Sequence, residues 1–229
     1  MPSSSPSSQG SIRPPHPLTE RLISRLRNLD HSCAPSHIRI LEIGTGSGRN
    51  AHALTSAGFT HVGIPDNAGI PDNDITCVIP SEASSDAQSR DRHDLFHAAL
   101  TTHSLLHGTP SDIAYLLHAI AAQLKPNGLL YATFGSTRDT RFGRGEKLGK
   151  QTFAPLEGDE RGVAHSYFDE QSLREILAKN FAIERLEEIQ VDTIAGSWAH
   201  NETPLRGAFH WFVEATVRSG AAIASWRRR

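Results

Sequence analysis

The chain has 229 residues, of which 38% are hydrophobic and 21% charged, with a formal net charge of −2; this suits one medium α/β domain with a real core and does not suit a protein that coats nucleic acid. Two cysteines, Cys33 and Cys77, exclude a disulfide scaffold and cannot alone build a four-cysteine zinc site. No apolar run approaches the roughly 18–20 residues a spanning helix needs, and Ser and Pro stand where a secretory signal would be apolar, so the chain reads as soluble and cytoplasmic.

Residues 1–17 are Ser/Pro-rich and have little to bury, so they read as a disordered tail ahead of a single domain over 18–229. A leader helix is predicted over 18–29, capped by Thr19 and carrying Leu22, Ile23, Leu26 and Leu29 on one face, with Pro35 and Ser36 breaking it. IRILEI (38–43) is a short apolar run that stops at glycines, as a buried parallel strand should. Residues 48–57 read as a helix closed by Gly58, THVGIP (60–65) as a second strand and ITCVI (75–79) as a third. The polar stretch 81–94 reads as loop. LFHAALTT (95–102) is strand four, and SDIAYLLHAIAAQL (111–124) is the clearest helix, capped by Ser111 or Asp112 and closed by Lys-Pro-Asn-Gly.

LLYATF (129–134) is strand five. It is followed by a long connection over 135–164 with six glycines and no periodicity, of the kind that covers a site. A helix over 168–180 and strands over 181–191 and 207–217 complete the chain. The alternation predicts an α/β fold: a Rossmann-like, seven-stranded, mostly parallel sheet with helices on both faces and a C-terminal antiparallel β-hairpin.

The first strand ends in LEIGTGSGRN (41–50), with Glu42 followed by Gly44, Gly46 and Gly48. In open α/β sheets the ligand crevice lies outside the carboxyl ends of the strands, and glycine serves where a ligand must lie against bare backbone; a tight turn without ligand is the plainer alternative. The dinucleotide pattern G-x-G-x-x-G fails because Arg49 stands at its third glycine, and no Gly-Lys-Ser/Thr follows to make a nucleotide triphosphate loop.

The E-x-G-x-G-x-G pattern resembles motif I of class I S-adenosylmethionine-dependent methyltransferases, and Gly-Arg-Asn after it resembles the tellurite-resistance-type and related small-molecule members. Residues 95–110 resemble motif IV, with His97 where an acid often stands, and LKPNGLLYATF (124–134) resembles the following helix end and strand. The resemblance implies S-adenosyl-L-methionine as cofactor. It implies Glu42, Gly44, Thr45, Gly46 and Gly48 around its methionine part, Asp66 on the ribose diol, Glu82 near the adenine, and Thr101 at the end of strand four. Asp66 read without the resemblance is a turn aspartate.

Methyl transfer is an in-line displacement in which the enzyme chiefly holds the reacting atoms in line, and a base is needed only for a protonated acceptor. His103 and His165 are the catalytic candidates, because imidazole titrates near neutrality. His107, Arg141 and Tyr167 are the acceptor-binding candidates. The loop over 135–150 carries five basic residues against two acids, which reads either as a lid gripping an anionic small molecule or as a solvated surface loop. The i,i+4 pairs His93/His97 and His103/His107 lack a completing acid or cysteine, so no metal is expected. Nucleic acid and membrane are not expected as partners. A catalytically silent binding protein of the same fold is the alternative functional reading.

Overall fold

A computed structural model of the chain describes residues 13–29, 34–65, 95–194 and 205–218. Its sheet is built on four parallel strands in the order β2 (Thr60–Ile64), β1 (Arg39–Ile43), β3 (Phe96–Thr101) and β4 (Leu124–Ser136). Beyond β4 the sheet continues antiparallel through β9 (Phe209–Val217) to β8 (Phe181–Gln190), the expected C-terminal hairpin. The predicted strand at 75–79 and loop at 81–94 lie outside the described residues.

Both faces are covered, for a reason visible in β1. Successive side chains of a strand point to opposite faces, and Leu41 and Ile43 join one apolar cluster while Ile40 joins the other. The first cluster takes Ile113, Leu117 and Ile120 of α3 (Pro110–Gln123) with Leu173 and Leu177 of α4 (Glu170–Leu177). The second takes Leu18, Leu22 and Leu26 of α1 (Pro17–Leu29) with Leu54 of α2 (Arg49–Ser56). Truncating a fully buried leucine of this kind, such as Leu22, costs about 2–5 kcal/mol.

Four local expectations are corrected. Composition predicts a tail to residue 17, yet His16 is fully buried and α1 starts at Pro17; a single aromatic ring docking on the sheet outweighs a Ser/Pro-rich composition. Helix α3 is capped by Thr109, whose hydroxyl accepts the Asp112 N–H, while the Asp112 carboxylate accepts from the Thr109 N–H in return. Ser111 and Asp112 therefore sit inside the helix rather than at its cap. Lys-Pro-Asn-Gly lies within β4, with Asn127 at φ 61° and a register shift opposite Phe96 and Ala98.

Finally, the connection over 135–164 is not structureless. Gly135 and Ser136 end β4, and β5 (Glu146–Lys147) pairs with β6 (Thr152–Ala154), which pairs with β7 (His165–Phe168). Strand β7 in turn extends the main sheet beside Gly135 and Ser136. The four residues HSYF are too few to announce a strand. Helix α4 accordingly starts after Phe168, capped by Asp169.

Candidate cofactor and acceptor site

The glycine turn at the end of β1 is held from below. Gly44 N–H donates to Ile64 O at 2.8 Å and Gly48 N–H to Thr45 O at 2.8 Å, so the loop is tied to β2 and to itself. Gly46 and Gly48 adopt φ 46° and 76°, and a methyl group at either would meet no atom within 4 Å. Bare, left-handed backbone facing open space is what a close-lying ligand requires. The hollow beside it is lined by Gly44, Thr45, Gly46, Ser47, Arg49, Asn50 and Thr102.

Glu42 lies beneath this hollow, fully buried. Its Oε1 accepts from Asn50 Nδ2 at 3.1 Å and its Oε2 lies 2.8 Å from His61 Nε2. Asn50 also donates to Thr102 Oγ1 at 3.2 Å, and its Oδ1 accepts from the His16 N–H and the Thr19 hydroxyl, each at 2.9 Å. One amide thus links the β1 acid, the end of β3 and the start of α1. A buried carboxylate is tolerable only with such partners.

Arg49 is the unbalanced member. It is buried, and burial lowers its pKa, with Arg13 adding to the effect and Glu42 opposing it. Its Nη1 reaches only Pro14 O, at 3.5 Å, and its buried Nη2 has no hydrogen-bond partner among the described residues. A guanidinium with an unspent donor on the wall of an open hollow fits a carboxylate group. The residues present therefore fit an amino-acid moiety laid along the glycine turn. Thr102 rather than Thr101 lines the hollow; Thr101 Oγ1 is buried and has no partner among the described residues. Asp66 and Glu82 lie outside the described residues.

On the other side of the strand ends, three imidazoles pack together. His103 follows β3 at φ 79°, a left-handed conformation that costs a non-glycine residue about 1–3 kcal/mol, and its N–H is held by Thr133 Oγ1 at 2.8 Å. Its ring lies 5.6 Å from that of His16 and 5.4 Å from that of His210, both edge-on. Burial drives all three pKa values well below the ordinary histidine value, with neighbouring cationic groups adding to it, so the cluster is neutral at pH 7.

Arg141 is engaged. Its Nε and Nη2 meet Asp139 Oδ1 and Oδ2 at 2.8 and 3.0 Å, and its Nη2 lies 3.2 Å from His210 Nε2. Asp139 further accepts the Phe209 N–H at 2.9 Å, which pins the basic loop to β9. Tyr167 is buried between Phe142 and Phe153, and burial pushes its phenol up to about 12. His107 and His165 stand together elsewhere, on Glu160. His97 is the second residue of β3, at the opposite end of the strand from the hollow, where its Nδ1 accepts the Arg39 N–H at 3.0 Å and its Nε2 lies 2.8 Å from Lys125 Nζ.

Sequence reasoning gives no site role to His16, Asn50 or His210, and uses Arg49 only to exclude a dinucleotide loop and, within Gly-Arg-Asn, for the family resemblance. The one available signal was a histidine interrupting the apolar run AFHWFV.

Residues 16–184 match the family described as the methyltransferase domain. No curated protein sequence matches. Among solved structures, the chain is similar to a SAM-dependent methyltransferase from Methanosarcina mazei, 17% identical, with a TM-score of 0.56 over 81% of this chain and 95% of that one. It is also similar to the 1,6-didemethyltoxoflavin N1-methyltransferase of Burkholderia thailandensis, solved with 1,6-didemethyltoxoflavin and S-adenosylhomocysteine, 15% identical, with a TM-score of 0.51 over 96% and 93%. An S-adenosylmethionine-dependent methyltransferase from Mesorhizobium loti is 16% identical, with a TM-score of 0.50 over 87% and 97%. None of the helices among the described residues is long and apolar enough to cross a membrane.

Proposed function

The chain belongs to the methyltransferase domain family, which implies S-adenosylmethionine as its cofactor, and from that premise we propose that it methylates a small-molecule acceptor. The observation that carries the reading is the unspent Arg49 Nη2 beside open glycine backbone. Arg49 would hold the methionine carboxylate, the Gly44–Gly48 turn would admit the chain of that moiety, and Asp66 would take the ribose hydroxyls. The bound cofactor supplies an electrophilic methyl group on a sulfonium.

The protein's own part is positioning and proton handling. His103, strained and held neutral by burial, stands at the end of β3, where a base would take the proton of an acceptor hydroxyl or N–H. His16 and His210 flank it with polar but uncharged surface. Because Arg141 is spent on Asp139, it acts as a positioning residue for the loop and His210. The acceptor is then met by neutral groups rather than by a guanidinium fork. The Gly-Arg-Asn after the turn supports a small-molecule enzyme of the tellurite-resistance-like kind.

Titration calorimetry of the full chain with S-adenosylhomocysteine is the first test, with one site per chain expected. Transfer of labelled methyl to a panel of neutral hydroxyl, amine and heteroaromatic acceptors is the second. Absence of binding overturns the reading; binding without any transfer favours the silent-protein alternative.

A further inference from the structure

A second cluster lies apart from the glycine turn, where the loop after β3 meets the loop leading into β7. His107 and His165 face each other in an isolated antiparallel bridge, and Gly108 N–H donates to Ala164 O at 2.7 Å. The bridge sets the two imidazoles edge-on with ring centroids 4.8 Å apart. Glu160 completes the group. Its Oε1 lies 3.5 Å from His107 Nε2 and its Oε2 lies 3.1 Å from His165 Nε2. One ligand-type atom from each of the three residues lies within 4.8 Å of the others.

Hydrogen-bond bookkeeping makes this more than a cluster. His165 Nδ1 is 2.8 Å from Val163 O. A carbonyl can only accept, so Nδ1 carries the hydrogen. The opposite nitrogen, Nε2, then faces a carboxylate, which also only accepts. A neutral His165 would aim its lone pair at an anion from a site that is 2% exposed. A proton or a metal cation is therefore needed between Nε2 and Glu160. An imidazole whose other nitrogen donates to a backbone carbonyl is also the arrangement that orients metal-bound histidines and fixes their tautomer.

We propose that His107, Glu160 and His165 form a binding site for a divalent first-row cation of the zinc class, with a coordination position left open. Two ligands each about 2.0–2.1 Å from a tetrahedral ion stand roughly 3.3–3.5 Å apart; the two histidine–carboxylate separations, 3.5 Å to Oε1 and 3.1 Å to Oε2 of Glu160, bracket that, and the three ligand atoms would draw in from within 4.8 Å of one another. Two imidazoles and one carboxylate favour zinc over magnesium or calcium, which prefer all-oxygen sets. The frame is stiff on the histidine side: Ser166 Oγ donates to Gly108 O at 2.7 Å and lies 2.9 Å from Thr152 Oγ1. Glu160 is 45% exposed at its side chain, which leaves the open position toward solvent. His165 then acts as a ligand rather than as a base, and the ion pins the loop before β7 to the end of β3. The inference does not depend on the methyl-transfer reading.

The test uses the full chain, stripped with EDTA, dialysed and titrated calorimetrically with zinc chloride alone. One zinc per chain is expected, with a rise in melting temperature, and cobalt(II) in its place should give a visible ligand-field band. Glu160→Gln and His107→Ala, each checked for native circular dichroism, should weaken zinc by more than the roughly 10–100-fold that loss of a mere orienting partner costs. S-adenosylhomocysteine binding should be unchanged in both. Lack of stoichiometric zinc binding overturns the proposal and leaves an imidazolium–carboxylate pair. Zinc binding that survives unaltered in both variants overturns it equally, as adventitious uptake by other histidines.

Discussion

Asn50 Nδ2 donates to Glu42 Oε1 at 3.1 Å, so the buried acid of the glycine turn is held by the helix that follows it. The same amide receives the first residues of the leader through His16 and Thr19. Replacing Asn50 with Ala leaves a buried carboxylate short of a donor and should destabilise the fold by about 1–3 kcal/mol. Urea denaturation should register that loss, and weaker S-adenosylhomocysteine binding should accompany it. An unchanged midpoint would mean that Glu42 is satisfied by His61 alone.

Arg49 offers a cleaner separation of binding from folding. Among the described residues its Nη2 has no hydrogen-bond partner to lose, so Arg49→Met should leave stability near that of the parent chain. Loss of one charge-assisted hydrogen bond costs about 1.5–3 kcal/mol, which is roughly a 10- to 150-fold rise in the dissociation constant for S-adenosylhomocysteine. Adenosine, which has no carboxylate, should bind the two proteins alike; an equal loss for both ligands would contradict the assignment.

The imidazole cluster predicts a direction of pH dependence. His16, His103 and His210 have folded-state pKa values well below the ordinary histidine value because burial penalises the charged ring. Below about pH 6.5 the unfolded chain takes up protons that the folded chain does not, so the stability these groups contribute is present above that pH and declines as pH falls. Each group contributes a slope of up to about 1.4 kcal/mol per pH unit. Denaturation midpoints measured between pH 7.5 and 5.5 should fall, and His16→Gln should make the decline shallower. A midpoint independent of pH across that window would show that the rings protonate in place.

The pair of Arg141 with Asp139 should be strongly coupled. Asp139 is 3% exposed and accepts from both Arg141 and the Phe209 backbone. Arg141→Ala strands that charge and should cost about 3–5 kcal/mol, whereas removing both charges together costs much less. A double-mutant cycle with Asp139→Asn reads the coupling directly. Hydrogen exchange should show the turn after β4 opening in the single variant.

Much of the fold was legible because its elements announce themselves locally. Leu41 and Ile43 alternate with Ile40 and Glu42 around a strand period, Gly44 to Gly48 break it, and α3 repeats its apolar residues at helical spacing. What could not be read depends on partners distant in sequence. His16 sits in a Ser/Pro-rich stretch and is recruited by a ring on the last strand, Phe212, 4.9 Å away. β7 owes its extended form to Gly135 and Ser136 rather than to its own four residues. The same holds for the site: the glycines mark the turn, but nothing local says that Arg141 would be used up by its neighbour Asp139, or that His107 and His165 would meet.

The burial of His16 against Phe212 also bears on how the protein folds. Its ring belongs to a cluster whose walls include His210 and Phe212, both on β9 and far along the chain from it. Contacts of such long sequence separation form late because the intervening chain must first be closed into a loop. The glycine turn and α2 can assemble early and offer Asn50 and Leu54 to the leader, yet the His16 ring lacks its Phe212 wall until β9 pairs with β4. The imidazole cluster thus stays unroofed until β9 has joined the sheet.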